Sequence, residues 1–151
     1  MDIQITGVEE ACRMLDELPP RVVKQAFARA LTAACVPIVR ELEVRTPESV
    51  KAATSDQYGK LKADIRTDIQ IDASGKGALA QIWFAKKDYV ARFVEYGHRL
   101  LSHGHSKDSR KELGNVQPHP FIRPAAAAGA DAAVEAFSET LNDFVRSEYG
   151  A

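Results

Sequence analysis

Residues 60–72 (KLKADIRTDIQID) constrain the fold more than any other stretch. Leu61, Ala63, Ile65, Thr67, Ile69 and Ile71 alternate with Lys60, Lys62, Asp64, Arg66, Asp68, Gln70 and Asp72. A period of two places the first set on one face of a strand and the second on the other. One buried and one wet face is the mark of an antiparallel sheet, so a purely helical fold is excluded. Residues 73–77 (ASGKG) read as a turn, and 79–85 (LAQIWFA) as the returning hairpin strand.

Around this hairpin the apolar spacing is helical. Val8, Cys12, Leu15 and Leu18 predict a first helix over residues 7–18, with Glu9 and Glu10 in the first turn where the helix dipole favours acids. Pro19 and Pro20 stop it, and Pro20 can open the next helix, where its missing N–H is not needed. Val23, Phe27, Ala30, Leu31, Ala34, Ile38 and Leu42 predict a second helix over 20–45, kinked at Pro37 and ended by Thr46-Pro47. Residues 47–59 read as a loop. Asp88 is placed to cap a short helix through Tyr96, with Val90, Phe93 and Val94 inward and Gly97 as its stop. Residues 98–119 are polar and aperiodic. A last helix runs from near Pro124 to about Tyr149, with Val134, Phe137, Leu141, Phe144 and Val145 as its apolar stripe. The expectation is an α+β fold: two N-terminal helices and a long C-terminal helix packed on a small antiparallel sheet. It forms a single domain over 1–151, with a long flexible loop at about 98–116.

Composition narrows the function by exclusion. Twenty Lys+Arg against 21 Asp+Glu leave a net charge of −1, far from the basic surplus that phosphate binding needs. No uninterrupted apolar run approaches 18 residues, and the first residues have no basic stretch followed by an apolar core, so neither a membrane span nor a secretory signal is expected. Cys12 and Cys35 lack metal-ligand spacing and are read as reduced, half-buried thiols in a cytoplasmic product.

Three stretches invite chemistry. His98, His103 and His105 lie within eight positions, but no His-x-x-x-His pair or Cys-x-x-Cys supports them as metal ligands. Ser74-Gly75-Lys76-Gly77 lacks the upstream glycine of a phosphate loop and joins two strands. Ser102, His105 and Asp108 have the residue types of a triad without a nucleophile elbow. Charge layout says more. Asp131, Glu135, Glu139 and Asp143 recur every four residues as one acidic stripe, and Arg21, Lys24, Arg29, Arg40 and Arg45 outnumber Glu41 and Glu43 on the second helix. Such complementary faces set orientation and specificity between subunits. The stripe and Arg21, Lys24 and Arg29 are therefore the two candidate sides of an interface.

Two blocks resemble a known family. Residues 89–98 (YVARFVEYGH) are similar to a Y-A-x-F-[LV]-E-[FY]-G-T block, and 117–125 (QPHPFIRPA) to an x-P-x-P-F-[LIM]-R-P-A block. Both belong to the tail-component proteins of lambdoid and related long-tailed phages and prophages, encoded among the head–tail joining genes. The flanks follow in order: residues 7–10 with Leu15 and Leu18-Pro19, then 30–38 with Thr46-Pro47, then Gly59-x-Leu61 through Ile65, with Ala63-Asp64 where serine is usual. His98 replaces a common threonine.

The resemblance implies a non-enzymatic, cofactor-free structural protein of the virion neck, present in the host cytoplasm before assembly. It implies a ring, six copies in the virion, between a head-completion or connector protein and a tail-terminator or tail-tube protein, with no membrane or specific nucleic-acid partner. Tyr89, Phe93, Glu95, Tyr96, Gly97, Pro120, Phe121, Arg123 and Pro124 are then its motif residues. Phe93, Tyr96 and Phe121 are expected to cluster under the loop, and Glu95 to pair with Arg123. The competing readings are a metal-dependent hydrolase using the 98–105 histidines and a nucleic-acid-binding regulator using the basic second helix.

Overall fold

A computed structural model describes residues 19–47, 61–73, 77–102 and 111–149. Helix α1 (Pro20–Arg45) leads to a 3-10 turn (Leu61–Asp64) and the hairpin β1 (Ile65–Ile71) and β2 (Ala78–Phe84). Helix α2 (Asp88–Tyr96), the ribbon β3 (His98–Leu101) and β4 (Glu112–Val116), and helix α3 (Ile122–Tyr149) follow. The fold is α+β. Of the two expected N-terminal helices, one is α1, and residues 7–18 lie outside the described residues.

Two expectations need correction. The strands form two separate two-stranded sheets, not one. The second comes from the stretch read as a loop: β3 and β4 pair antiparallel, His98 opposite Val116 and Leu100 opposite Gly114, and the register shifts by one residue before Leu101 meets Glu112. That shift is a bulge at Leu113, and it hides the strands from a period-of-two reading. Ser102 N donates to Lys111 O at 2.8 Å, and Lys111 N to Ser102 Oγ at 2.8 Å, which closes the described ribbon. Residues 103–110 lie outside the described residues.

α1 starts where Val22 N and Val23 N donate to Pro19 O, continues through Pro37, and ends where Thr46 N and Oγ1 both turn back to Leu42 O. Pro47 then disfavours helix at the preceding residue. By length and composition α1 would also reach across a membrane. Its fully buried Ala26 and Ala30 pack against Leu141, Phe144 and Val145. The hairpin is closed at the turn by Asp72 N to Gly77 O and at its base by Ala85 N to Asp64 O. β1 begins four residues later than the alternation suggested, because residues 61–64 turn Asp64 inward.

Two compact units emerge. The first comprises Met1–Pro37, Thr67–Gln81 and Ala130–Ala151, and the second Ile38–Arg66 and Ile82–Gly129. In the first, Ala26 and Ala30 of α1 meet Leu141, Phe144 and Val145 of α3, with Val22, Phe27 and Phe137 against them. The alanines allow close approach, and Phe27 stacks on Phe137 with centroids 6.4 Å apart. Val134, expected in this stripe, is exposed. Ala133 takes the buried position.

In the second unit Leu42, Phe84, Ala91, Phe121 and Ala125 form the core, with Phe84 edge-on to Phe121 at 6.0 Å. Gly129 packs against Ile38 so closely that a Cβ there would lie 2.9 Å from the Ile38 Cα.

Candidate functional site

The second unit holds two buried carboxylates, and each fixes the start of a helix. Asp64 Oδ2 accepts the Lys86 and Lys87 amides, both at 2.7 Å. These amides belong to the turn that leads into α2. Taking a carboxylate out of water is costly unless charge-assisted hydrogen bonds replace the lost solvent, and two short ones do so here. The alternating pattern had assigned Asp64 to the wet face.

Glu95 lies one turn after Ala91 on the buried stripe of α2, with a side-chain exposure of 1%. Its Oε2 accepts Phe121 N at 2.7 Å and Ile122 N at 2.9 Å, and its Oε1 accepts Arg123 N at 3.4 Å and Arg123 Nε at 3.0 Å. The first amides of a helix have no partner within it, and its dipole favours a negative charge at that end. α3 has no acid of its own in its first turn. Glu95 supplies the missing charge from another element. Burial pushes its carboxyl up, but the Ile122 and Phe121 amides and then Arg123 outweigh this and hold it below its ordinary value.

Gly97 makes the junction geometrically possible. Its φ of +72° and ψ of 171° fall in a region open essentially to glycine alone. A Cβ there would run into the Val116 carbonyl and sit 3.0 Å from Pro118 N. His119 N donates to Val94 O at 2.8 Å and ties the returning chain to the end of α2.

The remaining motif residues face outward, and the expected cluster of Phe93, Tyr96 and Phe121 divides. Phe121 is buried with Phe84. Tyr89, Phe93 and Tyr96 are 53%, 46% and 65% exposed, and their i, i+4, i+7 spacing puts them on one face of α2. Tyr89 meets Phe93 edge-on at 6.0 Å, Phe93 lies 4.7 Å from the His98 ring, and the Arg123 guanidinium sits 5.7 Å over Tyr96. Phe93 was expected inward. Ala91 and Glu95 take that place. Asp88 is the first helical residue, not the cap, and pairs with Arg92 at 2.8 Å. Pro120 and Pro124 are exposed. His98 Nδ1 is buried without a hydrogen-bond partner among the described residues.

The other sequence candidates are dispersed. Among the described residues no three His, Cys, Asp or Glu side chains converge as metal ligands, and His103 and His105 lie outside them. Ser102 Oγ is engaged by Lys111 N. Cys35 is buried and free, and burial pushes its thiol up, away from the reactive thiolate. On α1, Arg29 lies 5.1 Å over the Phe144 ring and Arg45 pairs with Glu41 at 3.2 Å. Part of the basic run is therefore engaged internally. Asp131, Glu135, Glu139 and Asp143 are all exposed.

The two units carry opposite charge. Among the described residues, the first has Asp68, Asp72, Asp131, Glu135, Glu139, Asp143 and Glu148 against Arg21, Lys24, Arg29 and Arg146. In the second, Asp64 and Glu95 are buried against backbone amides. Glu41, Glu43, Asp88 and Glu112 remain against Arg40, Arg45, Lys62, Arg66, Lys86, Lys87, Arg92, Arg99, Lys111 and Arg123.

Sequence reasoning missed the roles of Asp64 and Gly129. The signal for Asp64 was its place where the resembling family has serine, and for a distant cap it was the acid-free start of α3. Gly129, after four alanines, carried no distinguishing signal.

The chain matches the family described as "Bacteriophage HK97-gp10, putative tail-component" over residues 9–97. This span includes the first motif block through Gly97 and stops before the second. Comparison with curated proteins and with solved structures finds no match.

Proposed function

The chain belongs to the HK97-gp10-like family of phage tail components, and on that premise we propose that it is a structural protein of the virion neck. In this reading several copies, six in the virion, close into a ring between head and tail. A head-completion or connector protein lies on one side and a tail-terminator or tail-tube protein on the other. The chain stays in the host cytoplasm until assembly. It acts by shape and charge, without catalysis or cofactor.

The observation that supports this reading, beyond the family, is the exposed acidic line Asp131, Glu135, Glu139 and Asp143. Like charges at i, i+4 each destabilise a helix by a few tenths of a kcal/mol, on the order of 0.2–0.5. An oppositely charged neighbour relieves that repulsion, and head-to-tail contacts close into a ring when the rotation permits. Glu135→Lys with Glu139→Lys tests it. The variant is expected to keep its circular dichroism and melting temperature while heads and tails fail to join. Normal joining would reduce the stripe to a solvated face.

A further inference from the structure

We propose that the chain carries a built-in hinge, at which α1 bends beside Pro37 and α3 beside Gly129, so that the two compact units can tilt. The inference goes beyond the neck reading and does not depend on it.

The two apolar clusters use separate stretches of the same helices. One takes Ala26 and Ala30 of α1 with Leu141, Phe144 and Val145 of α3. The other takes Leu42 of α1 and Ala125 of α3. From 31 to 41 on α1 and from 126 to 136 on α3, only Cys35, Gly129 and Ala133 are buried. All three are small. Helix stretches without large buried side chains lose most of the interdigitation that resists bending.

Both helices are also weakest at this level. Pro37 lies inside α1. It has no N–H to donate to Ala33 O, and its ring crowds that carbonyl, which costs about 3 kcal/mol in a helix interior. Gly129 lies inside α3, where glycine is about 1 kcal/mol less favourable than alanine. Sharp kinks fall at proline, and hinges take up backbone change at a few positions, often small residues.

The weak points touch. Ile38 follows Pro37, and a Cβ on Gly129 would come 2.9 Å from the Ile38 Cα. Gly129 therefore sets no side chain into a groove of α1, and the contact can turn without unlocking a ridge. The compact units divide at the same places, between Pro37 and Ile38 and between Gly129 and Ala130. The hairpin crosses the division after Arg66 and after Gln81, and a two-stranded ribbon accommodates a wide range of twist. In the proposed ring, such a hinge would let the unit fixed by Asp64 and Glu95 keep its arrangement while the other adjusts.

Double electron–electron resonance on the full chain tests it. Spin labels are attached through p-acetylphenylalanine in place of Tyr89 and Glu139, one in each unit, and a reference pair in place of Tyr89 and Ala126 lies within one unit. The cross-unit distances should spread at least about twice as widely as the reference distances. Pro37→Ala returns a donor to Ala33 O. Because both helices must bend together, stiffening one should narrow the cross-unit distances to the reference width. A fixed kink would make them as narrow as the reference in the wild type, and that result would overturn the hinge. So would distances that stay broad in a folded Pro37→Ala.

Amide exchange in the wild type needs no variant. Residues 38–41 and 129–133 should exchange about tenfold or more faster than 26–30 and 141–145, because bending opens hydrogen bonds locally. Equal protection along both helices would contradict the hinge.

Discussion

The two units are held by different physics. In the first, apolar groups pack between two helices: Ala26 and Ala30 against Leu141, Phe144 and Val145. The second also has an apolar core, but its connections are ionic. Asp64 ties the turn before α2, and Glu95 at the end of α2 ties the start of α3. Apolar packing is tolerant, since a slightly different side chain still fills space. A buried carboxylate is not tolerant, since its removal strands several amides at once. The contrast suggests a division of labour, with one unit as a stable body and the other as the place where a loop, a ribbon and two helices must meet in a fixed arrangement.

The largest test removes one element from each side. Glu95→Ala leaves the Phe121 and Ile122 amides without their acceptor, while the exposed Arg123 guanidinium turns to water, and is expected to cost about 1–3 kcal/mol per stranded amide in urea unfolding. Phe144→Ala in the other unit should cost a similar amount, about 3–5 kcal/mol, through an apolar cavity. The two differ in acid. Because the Glu95 carboxyl is held below its ordinary value, its contribution is complete above about pH 4.3 and is lost as pH falls through the depressed folded value. Unfolding of Phe144→Ala should therefore keep the acid limb of the wild type, and Glu95→Gln should flatten it. An unchanged limb in Glu95→Gln would place the titrating group elsewhere.

Smaller effects sharpen the same contrast. Asp64→Asn keeps one acceptor but loses the charge, and about 1–3 kcal/mol should follow, read from thermal unfolding. Gly129→Ala forces a methyl against the Ile38 backbone and should cost about 1–3 kcal/mol despite the better helix propensity of alanine. Arg29→Gln removes only the cation over Phe144, with an expected loss of about 0.5–1 kcal/mol. A loss above that of Asp64→Asn would show that the first unit also depends on charge.

Legibility in the sequence followed the same division. The apolar helix faces could be read from Phe27, Leu42, Phe137, Leu141 and Phe144, because a 3.6-residue period records burial directly. The hairpin at 65–84 was equally visible. The pairing of Glu95 with Arg123 was anticipated, but not that Glu95 caps α3, since a cap 26 residues away leaves no local pattern. The ribbon was missed because the bulge at Leu113 and the short strands break the alternation. Phe93 was misplaced because an aromatic residue at helical spacing reads as core, whereas here a carboxylate holds the inward position. The opposite charge of the units emerges only when distant segments are brought together.

The central claim is that a carboxylate fixes the junction of α2 and α3, while the described residues of the other unit are held mainly by apolar packing. Amide hydrogen exchange at neutral pH, comparing Glu95→Gln with the wild type, tests it most directly. Residues 88–96 and 121–125 should lose protection by about tenfold or more, while 22–37 and 133–145 keep theirs, because local opening draws on local interactions. A uniform loss across both units, or unchanged protection at Phe121 and Ile122, would contradict it.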